Sequence, residues 1–200
     1  MSLRRLDERP WLLLCEGEGD KRFFEQLISF RKIPDEFQIF FSGRTPADNI
    51  GGRSKFGVWL ADLWQFDERF RKNIKGVLVV SDNDESEKVS LDEVKKALAS
   101  SKGFPVPNQS KTAARAAGFP PLVIYMLPDG SPGSLETICE VAALHKWPHL
   151  GEPLNTYIAG IPVKDWTPGK RGKMRMQTII ASSCLPRPET GFLGALVREC

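Results

Sequence analysis

Four short runs of mostly apolar residues do more than any other feature to constrain how this chain folds. The runs lie at Trp11–Cys15, Phe37–Phe41, Gly76–Ser81 and Pro121–Leu127, and segments of helical periodicity separate them. A strand that is apolar at nearly every position is typical of a parallel sheet with helices on both faces. We therefore predict an α/β fold with a mostly parallel four-stranded sheet flanked by helices.

Apolar residues that recur at helical spacing predict the helices that alternate with these strands. The first begins near Asp20, whose carboxylate is placed to accept hydrogen bonds from first-turn amides. One continuous helix is predicted across Phe56–Phe70, and the others are predicted near Ser90–Ser100, at Ser134–Leu144 and at Lys170–Ser183. Parallel strands need crossover connections of this kind, so the two predictions agree.

Two segments fall outside this regular alternation. Ser101–Pro120 is longer than the connections usual in α/β units, so it is either a functional loop or a loop that holds a short helix around Lys111–Ala117. The C-terminal portion is rich in Pro and Gly before its single predicted helix. We therefore divide the chain into an α/β domain at residues 1–146 and a small helical extension at residues 147–200.

Simple features of the sequence exclude several classes of protein. The longest apolar stretches fall far short of the roughly 18 residues that a membrane-spanning helix needs, and the first residues lack a secretory pattern. The four cysteines are scattered without a C-x-x-C pair, which favours reduced thiols over disulfides or a zinc site. We expect a cytoplasmic protein that does not cross a membrane.

Acidic residues follow two of the predicted strands. Glu16 stands at the end of the first strand, and Asp82 and Asp84 stand at the end of the third. Functional groups of parallel sheets collect beyond the carboxyl ends of the strands, so we expect these carboxylates to lie close together. A carboxylate cluster without His or Cys favours Mg²⁺ or Mn²⁺ over zinc.

Two stretches of sequence resemble the motifs of the Toprim-domain family, which occurs in topoisomerases, bacterial primases and OLD-family nucleases. In Leu12–Asp20 an apolar strand is followed by Glu-Gly and then by an Asp three residues after the Gly. In Val77–Asp84 an apolar strand ends in Asp-x-Asp. Between them, Phe40–Gly43 resembles the strand that ends near a glycine in that family.

Weaker similarities connect the chain with the small standalone, OLD-nuclease-related Toprim-like proteins. Gly133–Glu136 is similar to a Gly-x-Leu-Glu segment of those proteins, and Gly172–Ser182, followed by Pro186 and Gly191, is similar to their basic C-terminal helix. The resemblance covers roughly residues 10–145 and implies a Toprim-like, Rossmann-like arrangement of the sheet.

The resemblance also implies roles for the acidic residues. Asp82 and Asp84 would be Mg²⁺ ligands, and Glu16 would be a metal ligand or a general acid/base beside the reacting phosphate. Glu136 is a candidate further ligand, although its place in a first helical turn is equally explained by helix capping.

The distribution of charge is more informative than its total. The whole chain carries 28 Lys+Arg and 25 Asp+Glu, a formal charge of only +3. Residues 164–200 hold seven basic and three acidic residues, a balance of +4, so residues 1–163 sum to −1. The seven basic residues are Lys164, Lys170, Arg171, Lys173, Arg175, Arg187 and Arg198.

A basic helix is either a solvated face or a surface that contacts phosphates. On the second interpretation, the helix would hold a nucleic-acid backbone together with two residues of the long connection. The predicted phosphate contacts are then Lys111, Arg115, Lys170, Arg171, Lys173 and Arg175.

These features lead to a ranked set of functions. The first is a Mg²⁺- or Mn²⁺-dependent enzyme of phosphodiester chemistry, a nuclease acting on DNA or RNA. The second is a non-catalytic Toprim module that binds nucleic acid or a protein, including another copy of the chain. The third, ranked low, is a HAD-like phosphatase, because that family's Asp-x-Asp normally follows the first strand and continues with Thr or Val, not with Glu85.

Overall fold

A computed structural model describes residues 9–43, 51–162 and 166–183, and it contains the predicted α/β sheet. The strands are β1 (Trp11–Cys15), β2 (Phe37–Phe41), β3 (Gly76–Asp82) and β4 (Leu122–Leu127), in the order β2-β1-β3-β4. β1 pairs in parallel with both β2 and β3. The predicted fold class is therefore confirmed.

Hydrogen bonds show that β4 also runs parallel to β3. The Val77 amide donates to the Pro121 carbonyl, and six residues further along both strands the Asn83 amide donates to the Leu127 carbonyl. All four strands thus run in the same direction, and Glu16 directly follows β1.

Seven α-helices lie within the described residues. They are α1 (Glu18–Phe30), α2 (Phe56–Phe66), α3 (Glu68–Asn73), α4 (Glu87–Leu98), α5 (Leu135–Lys146), α6 (Gly151–Ala159) and α7 (Pro168–Ser183), with short 3-10 helices at Arg53–Lys55 and Pro148–Leu150. None of these helices is both long and apolar enough to cross a membrane.

The chain forms two compact units. The first comprises residues 1–81 and 91–126, and the second comprises residues 82–90 and 127–200, of which only the described residues are considered. The predicted boundary after residue 146 falls inside the second unit, between α5 and the helices that share its core.

The core of the first unit surrounds the sheet. Leu12, Leu13 and Leu14 are all buried although successive strand residues point to opposite faces, so both faces of β1 are covered. Residues from the helices complete this core, including Phe56, Leu60, Phe70, Val94 and Leu98. Burial on both faces is the physical reason for the uniformly apolar strands.

The second unit has a separate apolar core. Ala143 of α5, Leu154 of α6, and Met176, Ile179 and Ile180 of α7 are its buried members. The helix α6 was not predicted, since the sequence analysis identified a single helix in this Pro- and Gly-rich portion, which includes Gly151 and Pro153. Both residues lie in its first turn, where proline is tolerated.

The structure corrects one prediction about the helices of the first unit and decides between two alternatives at another segment. The helix predicted across Phe56–Phe70 is broken at Asp67, which is extended and whose carboxylate accepts a hydrogen bond from the Phe70 amide at 2.9 Å. No helix lies around Lys111–Ala117. Instead, Ala114 exchanges backbone hydrogen bonds with Leu122 in an antiparallel bridge beside β4.

Candidate functional site

Glu16 lies where the sequence predicts, directly after β1, and two side chains of the first unit hold its carboxylate. The Ser81 hydroxyl donates a hydrogen bond to Glu16 Oε1. The Arg53 Nε lies 3.4 Å from the same oxygen. We call these three residues the Glu16 corner. Glu16 directly follows β1, Ser81 lies near the end of β3, and Arg53 follows β2 along the chain. Only the tertiary fold brings these three residues together.

A glycine pair brings Arg53 to this corner. The Gly52 amide donates to the Glu16 carbonyl at 3.0 Å, and the Ser42 hydroxyl donates to the Gly52 carbonyl at 2.8 Å. A Cβ on Gly51 would lie 2.5 Å from the Glu16 carbonyl oxygen, and Gly52 has a φ of +118°. Side chains at these two positions would therefore prevent the close approach or strain the backbone.

In the second unit, Asp82 is held by a helix terminus and a lysine. Its Oδ1 accepts a hydrogen bond from the Leu135 amide, the first residue of α5, at 2.9 Å. Its Oδ2 lies 3.9 Å from Lys173 Nζ of α7. The positive end of the α5 dipole and the ammonium group both attract this negatively charged side chain.

The residues Asp82–Asp84 form an acidic turn that several hydrogen bonds hold. The side chain of Asn83 is wholly buried and donates to the carbonyls of Pro128 and Ser131. Asp84 exchanges two backbone hydrogen bonds with Gly133, at 2.7 and 2.8 Å. Asp84 has a φ of +48°, an uncommon value for a residue other than glycine, although aspartate tolerates it better than most.

The first turn of α7 packs closely against this acidic turn. A Cβ on Gly169 would lie 2.9 Å from Asp84 Oδ1, and a Cβ on Gly172 would lie 2.6 Å from Thr137 Oγ1. These glycines continue the buried face that Met176 and Ile179 form further along α7. Within the second unit, the basic start of α7 therefore lies beside Asp82 and Asp84.

Glu136 has a local partner in the structure. Its Oε2 accepts a hydrogen bond from the Ser134 hydroxyl at 2.8 Å, and Ser134 is the N-cap residue of α5. Both interpretations of Glu136, as a helix-capping residue and as a metal ligand, stay open. Its role as a metal ligand stays a prediction.

The predicted phosphate contacts differ in their surroundings. Lys170 and Arg171 are exposed in the first turn of α7, whereas Arg175 pairs with Glu140 and also donates to Asn155 at 3.0 Å. In the first unit, Arg115 is exposed and Lys111 Nζ lies 5.6 Å from the centre of the Tyr125 ring. Arg175 is thus a candidate whose charge is satisfied within the second unit.

Several residues of the sequence analysis lie outside the described residues. They are Lys164, Cys184, Pro186, Arg187, Gly191, Arg198 and Cys200.

The two described thiols are Cys15, which is buried, and Cys139, which is partly buried. Burial raises the pKa of Cys139 to about 12, and it raises the pKa of Cys15 even further above the ordinary value. Neither thiol is suited to act as a nucleophile at neutral pH.

Sequence reasoning missed Arg53 and Ser81. The signal for Arg53 was the pair Gly51-Gly52 in front of it, and the signal for Ser81 was its place directly before Asp82.

Within the described residues, no three or more His, Cys, Asp or Glu side chains form a group that could hold a metal ion.

Comparison with known proteins gives one match. Residues 10–193 match the model of a family described as "Protein of unknown function (DUF3226)". Searches of the curated proteins and of the solved structures found no match.

Proposed function

Since the chain belongs to the DUF3226 family, we propose its function from its own residues: a Mg²⁺- or Mn²⁺-dependent nuclease that cleaves phosphodiester bonds of DNA or RNA. The observation that carries the proposal is the packing of the basic first turn of α7 on the acidic turn Asp82–Asp84. A phosphodiester enzyme needs both charges, because carboxylates hold the metal ion while cations hold the polyanionic substrate.

The acidic turn offers a donor set that fits Mg²⁺. Asp82 and Asp84 provide hard carboxylate oxygens, and Mg²⁺ is usually held by one or two carboxylates with several waters and substrate phosphates. The buried Oδ1 of Asn83, between them, accepts no hydrogen bond from any described residue. When bound, the ion would neutralise charge on the phosphate and lower the pKa of a bound water.

Further residues would act directly on the substrate. In the first unit, Glu16, held by Ser81 and Arg53, would be the group that moves a proton. Lys170, Arg171 and Lys173 would hold phosphate groups of the nucleic acid at the start of α7.

A nuclease assay tests this proposal. Single- and double-stranded DNA and RNA are incubated with the protein in Mg²⁺, Mn²⁺ or EDTA, and the variants Asp82→Asn and Glu16→Gln are compared with Asp92→Asn. We expect cleavage in Mg²⁺ or Mn²⁺ that ceases in EDTA, at least about a 100-fold loss in both site variants, and wild-type activity in Asp92→Asn. Asp92 is an exposed residue of α4 that pairs with Lys95, so it controls for lost negative charge.

Folding must be preserved for the comparison to count. Asn at position 82 keeps an oxygen that accepts the Leu135 amide, so the α5 terminus retains this partner. Circular dichroism and thermal unfolding check both variants. Wild-type cleavage rates in Asp82→Asn and Glu16→Gln proteins that remain folded would contradict the proposal.

One observation favours a second candidate function. In the structure, Asp82 already has Lys173 and the Leu135 amide as partners, so this carboxylate could hold α7 in place for binding alone. A non-catalytic module would bind nucleic acid in a salt-sensitive way and show no metal-dependent turnover. A phosphomonoester substrate in the same assay tests the phosphatase alternative.

A further inference from the structure

Arg53 is held in an unusual position for a surface arginine. Its side chain is only 12% exposed, and its guanidinium lies 3.4 Å from Glu16 Oε1 through Nε and 3.1 Å from Glu93 Oε2 through Nη1. It therefore lies beside the one acidic candidate of the first unit, at the carboxyl end of β1.

The backbone that carries Arg53 is fixed independently of its ion pairs. The Gly52 amide donates a hydrogen bond to the Glu16 carbonyl, and the Gly52 carbonyl accepts one from the Ser42 hydroxyl. A side chain on Gly51 would collide with the Glu16 carbonyl oxygen. The 3-10 helix Arg53–Lys55 starts directly from this anchored position. The loop thus holds the backbone of Arg53 close to Glu16.

The pair with Glu93 is a weak reason to build such an anchor, because Glu93 is 54% exposed and exposed ion pairs contribute little to stability. The pair with Glu16 is more buried, since the two side chains are 12% and 22% exposed. A planar guanidinium, in contrast, matches the two non-bridging oxygens of a phosphate, which makes arginine the residue suited to bidentate phosphate recognition.

We propose that Arg53 is a phosphate-binding residue, whose guanidinium contacts the non-bridging oxygens of a nucleic-acid phosphodiester beside Glu16. This inference rests on the proposed function, and it names a substrate contact that lies outside the basic helix and the long connection. Glu16 and Glu93 hold the guanidinium in place until the phosphate takes over one of these contacts.

Binding measured without turnover tests this contact. A fluorescent oligonucleotide is titrated in EDTA at several salt concentrations with wild type, Arg53→Gln, Arg53→Lys and Arg71→Gln. Arg71 is the matched control, because it lies in the same unit but donates to the Trp64 and Gln65 carbonyls. We expect Arg53→Gln to weaken binding about tenfold and to reduce the slope of log affinity against log salt by about 1.

The two remaining variants define the contact further. Arg53→Lys keeps the positive charge but loses the planar guanidinium that can donate two hydrogen bonds to one phosphate. We therefore expect this variant to retain the salt slope and to bind more weakly than wild type. Arg71→Gln should match wild type in both respects. Steady-state cleavage in Mg²⁺ should show a raised KM for Arg53→Gln with a smaller change in kcat.

The possible failures can be told apart. If Arg53→Gln lowers kcat while affinity and salt slope stay at wild-type values, Arg53 only positions Glu16 and the inference is wrong. If wild type binds the oligonucleotide but never cleaves it, the proposed function fails, and the salt slope still decides the role of Arg53. A wild-type protein that does not bind nucleic acid at all contradicts both.

Discussion

Single residues decide how closely the start of α7 approaches the acidic turn. Gly169 and Gly172 lie where a Cβ would meet Asp84 Oδ1 and Thr137 Oγ1 at less than 3 Å. Thr137 Oγ1 also accepts the Ser134 amide at 3.1 Å, so this hydroxyl cannot turn away without losing a cap of α5. The two glycines are therefore explained by packing at the site.

This packing predicts an unusual effect of alanine at position 172. Alanine normally stabilises a helix interior by about 1 kcal/mol relative to glycine, but Gly172→Ala should lower the stability because the new Cβ displaces Thr137 or α7. Thermal unfolding measures the change. Gly151→Ala is the matched control in the same unit, because a Cβ there meets nothing within 4 Å, and it should be neutral or slightly stabilising.

The acidic residues could be predicted from the sequence, whereas their partners could not. Glu16, Asp82 and Asp84 lie at or just after the ends of apolar strands. Strand ends can be predicted from a sequence because a strand buried on both faces is a continuous apolar run that stops where the strand stops. Arg53 meets Glu16 across 37 positions of chain, and only the tertiary fold brings them together. The same is true of Lys173 and Asp82.

At the scale of elements, the sheet could be predicted closely, and the helix boundaries less so. β1 and β2 have the predicted ends, because a change from apolar to polar residues coincides with the strand ends. The apolar pattern across Phe56–Phe70 continues through Asp67 although the helix does not. One cap hydrogen bond and an extended backbone at Asp67 decide the break, and hydrophobic periodicity does not report either.

The break between α2 and α3 gives a testable prediction. Asp67→Ala removes the carboxylate that accepts the Phe70 amide, so it should lower the free energy of unfolding by about 1 kcal/mol. Urea denaturation measures this change. Asp62→Ala, at an exposed position inside α2, should be neutral or stabilising, because alanine favours a helix interior more than aspartate does. Equal losses in both variants would assign the effect to charge rather than to the cap.

At the scale of the whole molecule, the small net charge hides an uneven distribution of charge along the chain. The total of +3 combines −1 in residues 1–163 with +4 in residues 164–200. Within the described residues, α7 holds four of the basic residues; Lys170 and Arg171 are exposed, and Arg175 pairs with Glu140. Affinity for nucleic acid should therefore depend on where charge is removed, not on how much.

A pair of charge-matched variants tests this dependence. Lys170→Gln combined with Arg171→Gln removes two positive charges from α7, and Lys95→Gln combined with Lys96→Gln removes two from α4. Each released phosphate contact contributes about 0.9 to the salt slope on duplex DNA, so the α7 variant should lose about 2 from the slope and bind more weakly. The α4 variant should keep the wild-type slope. Equal losses of salt slope in both variants would contradict a contact at α7. They would show that the protein attracts nucleic acid through its net charge.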